Sequence, residues 1–145
     1  MERTNDAVLL LGRLLMAALF LPSGISKLTH FAGFSHSLLD KGLPYADLWA
    51  VAAVAIEVLG PIALIVGILP RSTAIVLAAF VIAATATSHR YWEYQEPLRR
   101  AQEINFFKNV GVLGGLLFYF VSGAGGFALA PRMRKAEGHL PQATA

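Results

Sequence analysis

Five side chains in this sequence are ionisable or strongly polar yet sit in or beside long apolar runs: Lys27, Glu57, His89, Lys108 and Asn109. A carboxylate and an imidazole placed together can exchange protons with a bound molecule. Ammonium groups and a carboxamide can hold that molecule's polar oxygens. Glu57 and His89 are therefore the candidate catalytic residues, and Lys27, Lys108 and Asn109 the candidate ligand-binding ones. Tyr91 and Trp92 join the second group, because their rings follow His89 in "SHRYW" and could grip a quinone-like ring.

Each of these residues also has a plainer role open to it. Lys27 and Lys108 lie near span ends, where a long stem can carry its charge out to the interface. His89 could be a satisfied interface residue, and Tyr and Trp are enriched at that depth without any ligand. Glu57 has the weakest plain reading, since its side chain is too short to reach water from mid-helix. The chain has no cysteine, so it can hold no disulfide, thiolate metal site or cysteine-bound cluster. His30, His36 and His139 lack metal-ligand spacing, and no metal site is expected.

These residues must be positioned by lipid-crossing helices. Of 145 residues 56% are hydrophobic and 14% charged, far from the balance of a water-soluble domain. Mean hydropathy is +0.58. A bilayer core of about 30 Å needs roughly 20 apolar helical residues. Four runs meet that length, at 7–28, 48–69, 73–92 and about 104–122. The first is read as a span and not a cleaved leader, because Arg13 interrupts it, Glu2 and Asp6 precede it, and no A-x-A site follows.

The connections at 29–47, 70–72 and 93–103 carry the Gly and Pro that stop helices. Residues 123–145 read as a short apolar end after "GAGG" and a basic tail. The expectation is all-α: one integral membrane four-helix bundle over 1–145. The net charge of +3 flanks the apolar runs instead of forming a stripe, which excludes nucleic acid and leaves the lipid bilayer as the first partner. Lys and Arg nearly balance across the two sides, with a narrow preference for both termini in the cytoplasm.

Helical spacing places Arg13, Ala17, Phe20, Gly24 and Lys27 on one face of the first span. Glu57, Gly60, Leu64 and Gly67 share a face of the second, and Ala78, Ile82, Thr85 and His89 one of the third. Lys108, Gly111 and Gly115 share one of the fourth, containing a GxxxG step of the kind that lets helices approach closely. Charged faces that also carry small residues are expected to turn inward. Lys27, Glu57, His89, Lys108 and Asn109 then meet in one polar pocket in the half of the bundle nearer the 29–47 and 93–103 loops. Glu57 lies deepest, about 14 Å in, and Lys108 is its expected ion-pair partner. Arg13 falls in the other half and is expected to snorkel toward the termini.

The ordered set "GRLLMAALFLPSGISKLTHFAGF", "IEVLGPIALIVGILPRSTAIVLAAFVI", "SHRYW" and "NFFKNVGVLGGLLFYF" resembles the DoxX family of small bacterial membrane proteins. The resemblance covers about residues 8–122. It implies a four-span protein of the bacterial inner membrane with its first and third loops outside. It also implies association with quinone-linked oxidases, since many relatives carry an oxidoreductase label. No settled catalytic set comes with the family, and a shared fold does not fix one activity.

Two functions follow as expectations. In the first, the chain is a redox-linked accessory subunit or oxidoreductase that binds a quinone-like molecule, works with other membrane or redox proteins, and uses Glu57 and His89 to move protons. In the second, it is a non-enzymatic membrane scaffold or binding subunit whose ion pair holds the helices together.

Overall fold

The computed structural model describes residues 2–129. Its order is α1 (Glu2–Thr29), α2 (Phe31–Asp40), α3 (Ala46–Val66), α4 (Pro70–Ser88), a 3₁₀ turn (Tyr91–Glu93) and α5 (Leu98–Ser122). There is no strand among the described residues. α1, α3, α4 and α5 are long and apolar enough to cross a membrane, and the protein is an all-α, integral membrane four-helix bundle. α1 packs mainly on α3 and α4 mainly on α5, with an α3–α4 contact joining the two pairs.

The core is small and the outside is apolar. Ala17, Ala50, Leu64, Leu77 and Leu116 are almost fully buried, whereas Leu15, Leu59, Phe118 and Val121 are exposed. In lipid an outward Leu costs nothing, so close packing of small residues, not apolar burial, holds such a bundle together.

The first connection is not a plain loop. Residues 31–40 form α2, a helix too short to span, which packs on α3 through Leu38 near Ala46 and Ala50. Ser35 of α2 hydrogen-bonds Asp47 in the first turn of α3 at 2.5 Å. Gly33 of the expected connection lies inside this helix, where a methyl group would meet nothing within 4 Å. α4 ends at Ser88 and Tyr91 and Trp92 fall in the 3₁₀ turn that follows, within an apolar stretch, Pro70–Glu93, long enough to cross a membrane. α5 begins at Leu98, earlier than the apolar pattern, which placed the span at about 104.

The expected inward faces of α1 and α3 hold, and those of α4 and α5 hold only in part. Arg13, Ala17 and Phe20 of α1 are buried, as are Glu57 and Leu64 of α3. On α4 the buried line is Ala74, Leu77 and Val81, while Ile82 is 57% exposed. On α5 it is Val112, Leu116 and Tyr119. Lys108 and Gly111 are exposed, and a methyl at Gly111 would meet nothing within 4 Å. The α5 face that packs is the one with bulk to fill the interface; Gly111 faces away, whereas Gly115 is half-buried against Met16 of α1.

Close approach occurs elsewhere, between α1 and α3. A methyl on Gly24 would sit 2.8 Å from the Glu57 carbonyl oxygen. That carbonyl has no helical donor, because residue 61, four positions on, is a proline without an N–H. Pro61 thus frees the Glu57 oxygen, and Gly24 lets α1 lie against it.

Candidate functional site

Glu57 projects from the middle of α3 toward α1, and the residue is only 4% exposed. One carboxylate oxygen accepts from the Ser23 hydroxyl at 3.0 Å. The other accepts from the Lys27 ammonium at 2.5 Å. Ser23 and Lys27 are spaced i, i+4 on α1, one turn apart on one face, and Gly24 between them allows the backbones to meet. The segment "SGISK" is therefore a two-pronged grip on a carboxylate of the neighbouring helix.

This corrects the expected pairing of Glu57 with Lys108. Lys108 is exposed on α5 and donates to Asn105 one turn back at 2.9 Å. Its helix packs mainly on α4, and Glu57 has Lys27 as its ion-pair partner instead. Ser23 was missed altogether, although its spacing from Lys27 and the adjacent Gly24 were legible.

The Lys27 ammonium also lies 5.0 Å from the centre of the Phe34 ring and 5.7 Å from that of Phe80. A cation over aromatic faces is attracted by their quadrupoles, by about 0.5–2 kcal/mol each. With those two rings Lys27 lines a cleft of about 440 Å³ between α2, α3 and α4. Such a volume falls within the usual range for small-molecule sites. The cleft exists because alanines occupy the facing positions: Ala52 and Ala53 on α3, Ala79, Ala83 and Ala84 on α4. Its walls are otherwise apolar, and its polar groups are Lys27 at one side and Thr87 and Ser88 at the loop end.

The remaining nominated residues form a separate cluster on α4 and α5. His89 caps α4, and its Nδ1 lies 2.7 Å from the Gln102 side-chain oxygen. Because that oxygen accepts, the contact calls for an Nδ1–H tautomer. Asn109 donates to the Thr85 hydroxyl at 2.8 Å, and Thr85 donates onward to the Val81 carbonyl. Tyr91 and Trp92 stack edge-to-face with each other and with Phe106. None of these lines the α2–α3–α4 cleft. The single polar pocket expected from depth is thus two sites, divided because equal height does not make helices neighbours.

Arg13 is likewise not a snorkelling residue. It is 2% exposed. Its guanidinium donates to the Leu64 and Ile65 carbonyls at 3.5 and 3.3 Å and to the Phe127 carbonyl at 3.0 Å. The first two are orphan acceptors at the C-terminal end of α3, where a cation is favoured by the helix dipole. Gly67, in the left-handed conformation at φ +74°, ends α3 directly against the Arg13 guanidinium. Asp6, two turns earlier on α1, accepts from the Gly126 amide at 2.6 Å. Residues 123–129 are thereby tied to α1 from both points.

The DoxX family model matches residues 8–90, from the second turn of α1 to just past α4. The chain belongs to the DoxX family. Among curated proteins this DoxX chain is 28% identical over 128 residues to the inner membrane protein YphA of Escherichia coli (strain K12), covering 88% of this chain and 91% of that protein. It is 27% identical over 135 residues to the inner membrane protein YqjF of the same organism, covering 93% of this chain and 98% of that one. No solved structure gives a significant match. The family match spans Ser23, Lys27, Glu57 and the cleft-lining α2, α3 and α4, and stops short of α5 with Lys108 and Asn109.

Proposed function

We propose that this DoxX-family chain is a binding subunit of the bacterial inner membrane. It takes a lipophilic molecule of quinone-like size into the α2–α3–α4 cleft and serves a redox partner, with both termini in the cytoplasm. The observation that carries this reading is the cleft itself: apolar on its walls, bordered by the held Lys27 ammonium, and ending in two hydroxyls. A ring with polar oxygens and an apolar tail fits that distribution. Such a molecule, when bound, would supply the electron-carrying chemistry that no cysteine here can provide.

The geometry favours binding over turnover within this chain. Glu57 is committed to Ser23 and Lys27, and His89 to Gln102 away from the cleft. Lys27 is the nominated residue placed to touch a bound molecule, with Glu57 holding it in position. The full satisfaction of Glu57 favours a second reading, in which the ion pair only fixes α1 against α3.

The test is purification of the chain in mild detergent, followed by mass spectrometry of the extracted lipophilic molecules. A quinone-like species should accompany the parent protein and be depleted in Ala83→Trp, which fills the cleft. If nothing exceeds the detergent blank, and the two proteins carry the same extract, the scaffold reading stands instead.

A further inference from the structure

The rim of the same cleft carries a cation that the binding reading leaves unused. Lys41 follows α2 and donates to the Ser88 hydroxyl at 2.9 Å, and Ser88 lines the cleft. Among the described residues no carboxylate lies within ion-pair distance of Lys41. Lys27, by contrast, is neutralised by Glu57. One unpaired ammonium therefore stands beside Ser88, just outside the residues that line the cleft, at the loop end of the bundle. From there the lining runs along α4 from Ser88 back to Ile75, roughly 20 Å at 1.5 Å per residue. That path is apolar: Ala84, Ala83, Phe80, Ala79 and Val76.

We propose that the cleft selects a single-chain amphiphile with an anionic head, a long-chain carboxylate, whose head pairs with Lys41 and Ser88 and whose tail lies along α4. The inference rests on the cleft being a ligand site and names the class it prefers, an acid-headed chain over the quinone-like ring. Three features argue for it together. The polar end of the cleft is at the loop end, where a membrane amphiphile keeps its head. The channel beyond has the volume of one chain, about 440 Å³, not of a two-tailed lipid. One unneutralised ammonium matches one negative charge, whereas a second charge on the head would be left unpaired in a low-dielectric setting. Burial, with the Lys27 ammonium nearby, also pulls the Lys41 pKa below the ordinary lysine value of 10.5. A bound anion offsets the repulsion from Lys27 and favours the charged ammonium.

The experiment is a fluorescence titration of the full chain, in nanodiscs of phosphatidylcholine, with cis-parinaric acid. Its methyl ester, decyl-ubiquinone and hexadecyl phosphate serve as competitors. The carboxylate should bind at least about tenfold more tightly than the methyl ester, as expected for one charge-assisted contact. Lys41→Gln should erase that preference while Lys41→Arg retains it, and Ala83→Trp should abolish binding of every probe. Equal binding of acid and ester, indifference to Lys41→Gln, or stronger binding of hexadecyl phosphate would each overturn the proposal. If decyl-ubiquinone binds and responds to Ala83→Trp while the acid shows no preference, the anionic class falls and the binding reading stands. If no probe binds, both fall. A dimer that Ala83→Trp converts to monomer would assign the cleft to a second copy and also overturn it.

Discussion

Removing Lys27 and removing Glu57 should not cost the same, although they are the two halves of one ion pair. In Lys27→Met the Glu57 carboxylate keeps only the Ser23 hydroxyl, and its side chain is 5% exposed. Breaking a buried pair at one partner costs about 3–5 kcal/mol, because the other charge stays desolvated. In Glu57→Gln the amide oxygen can still accept from Ser23 or Lys27, and the stranded ammonium is better placed. Its side chain is 26% exposed and it lies over Phe34 and Phe80. Those rings return about 0.5–2 kcal/mol each, so the loss should be about 1–2 kcal/mol. Replacing both residues, as Lys27→Met with Glu57→Leu, leaves no charge unpaired and should fall within about 1 kcal/mol of the parent. Reversible unfolding in mixed micelles at neutral pH measures all three. A Lys27→Met cost no greater than that of Glu57→Gln, or a double replacement as costly as Lys27→Met alone, would refute a buried, stranded carboxylate as the source of the loss.

Lys108→Met should change stability by no more than about 0.5 kcal/mol in the same assay, since Lys108 is exposed and bonded only within its own helix. Gly67→Ala should cost at least about 2 kcal/mol, because the added methyl meets the Arg13 guanidinium, Ala124 and Ala128 at a φ of +74°. Gly111→Ala, with nothing within 4 Å, should be neutral or stabilising by up to about 1 kcal/mol, and thermal unfolding of the two side by side checks the contrast. Affinity for cis-parinarate should weaken as pH rises through a midpoint below 10.5, as Lys41 loses its proton earlier than a free lysine. Lys27 and Ser88 are the groups that act on Lys41, and Lys41→Arg should move that loss to higher pH. For folding the sign is opposite. The unfolded chain holds the Lys41 proton more tightly than the folded one, so this residue adds stability as pH rises toward 10.5.

The all-α class, the four crossings and the burial of Glu57 were all legible in the sequence. Length and apolar composition decide whether a helix can cross a bilayer, and a short carboxylate at mid-span has no route to water. The inward faces of α1 and α3 followed from spacing for the same reason. The partner of Glu57 did not follow. Periodicity fixes where a side chain lies around its own helix axis and how deep it sits, but not which helix stands opposite. Lys27 and Lys108 lie at similar depths, and only the packing of α1 on α3 and α5 on α4 chose between them. Arg13 was placed in the correct half of the bundle, yet the Leu64, Ile65 and Phe127 carbonyls that hold it arise where α3 ends and residues 123–129 return. The cleft depended still more on tertiary structure. Its alanines are scattered over two helices as ordinary small residues, and they become a cavity only where α2 folds across α3 and stops short of α4.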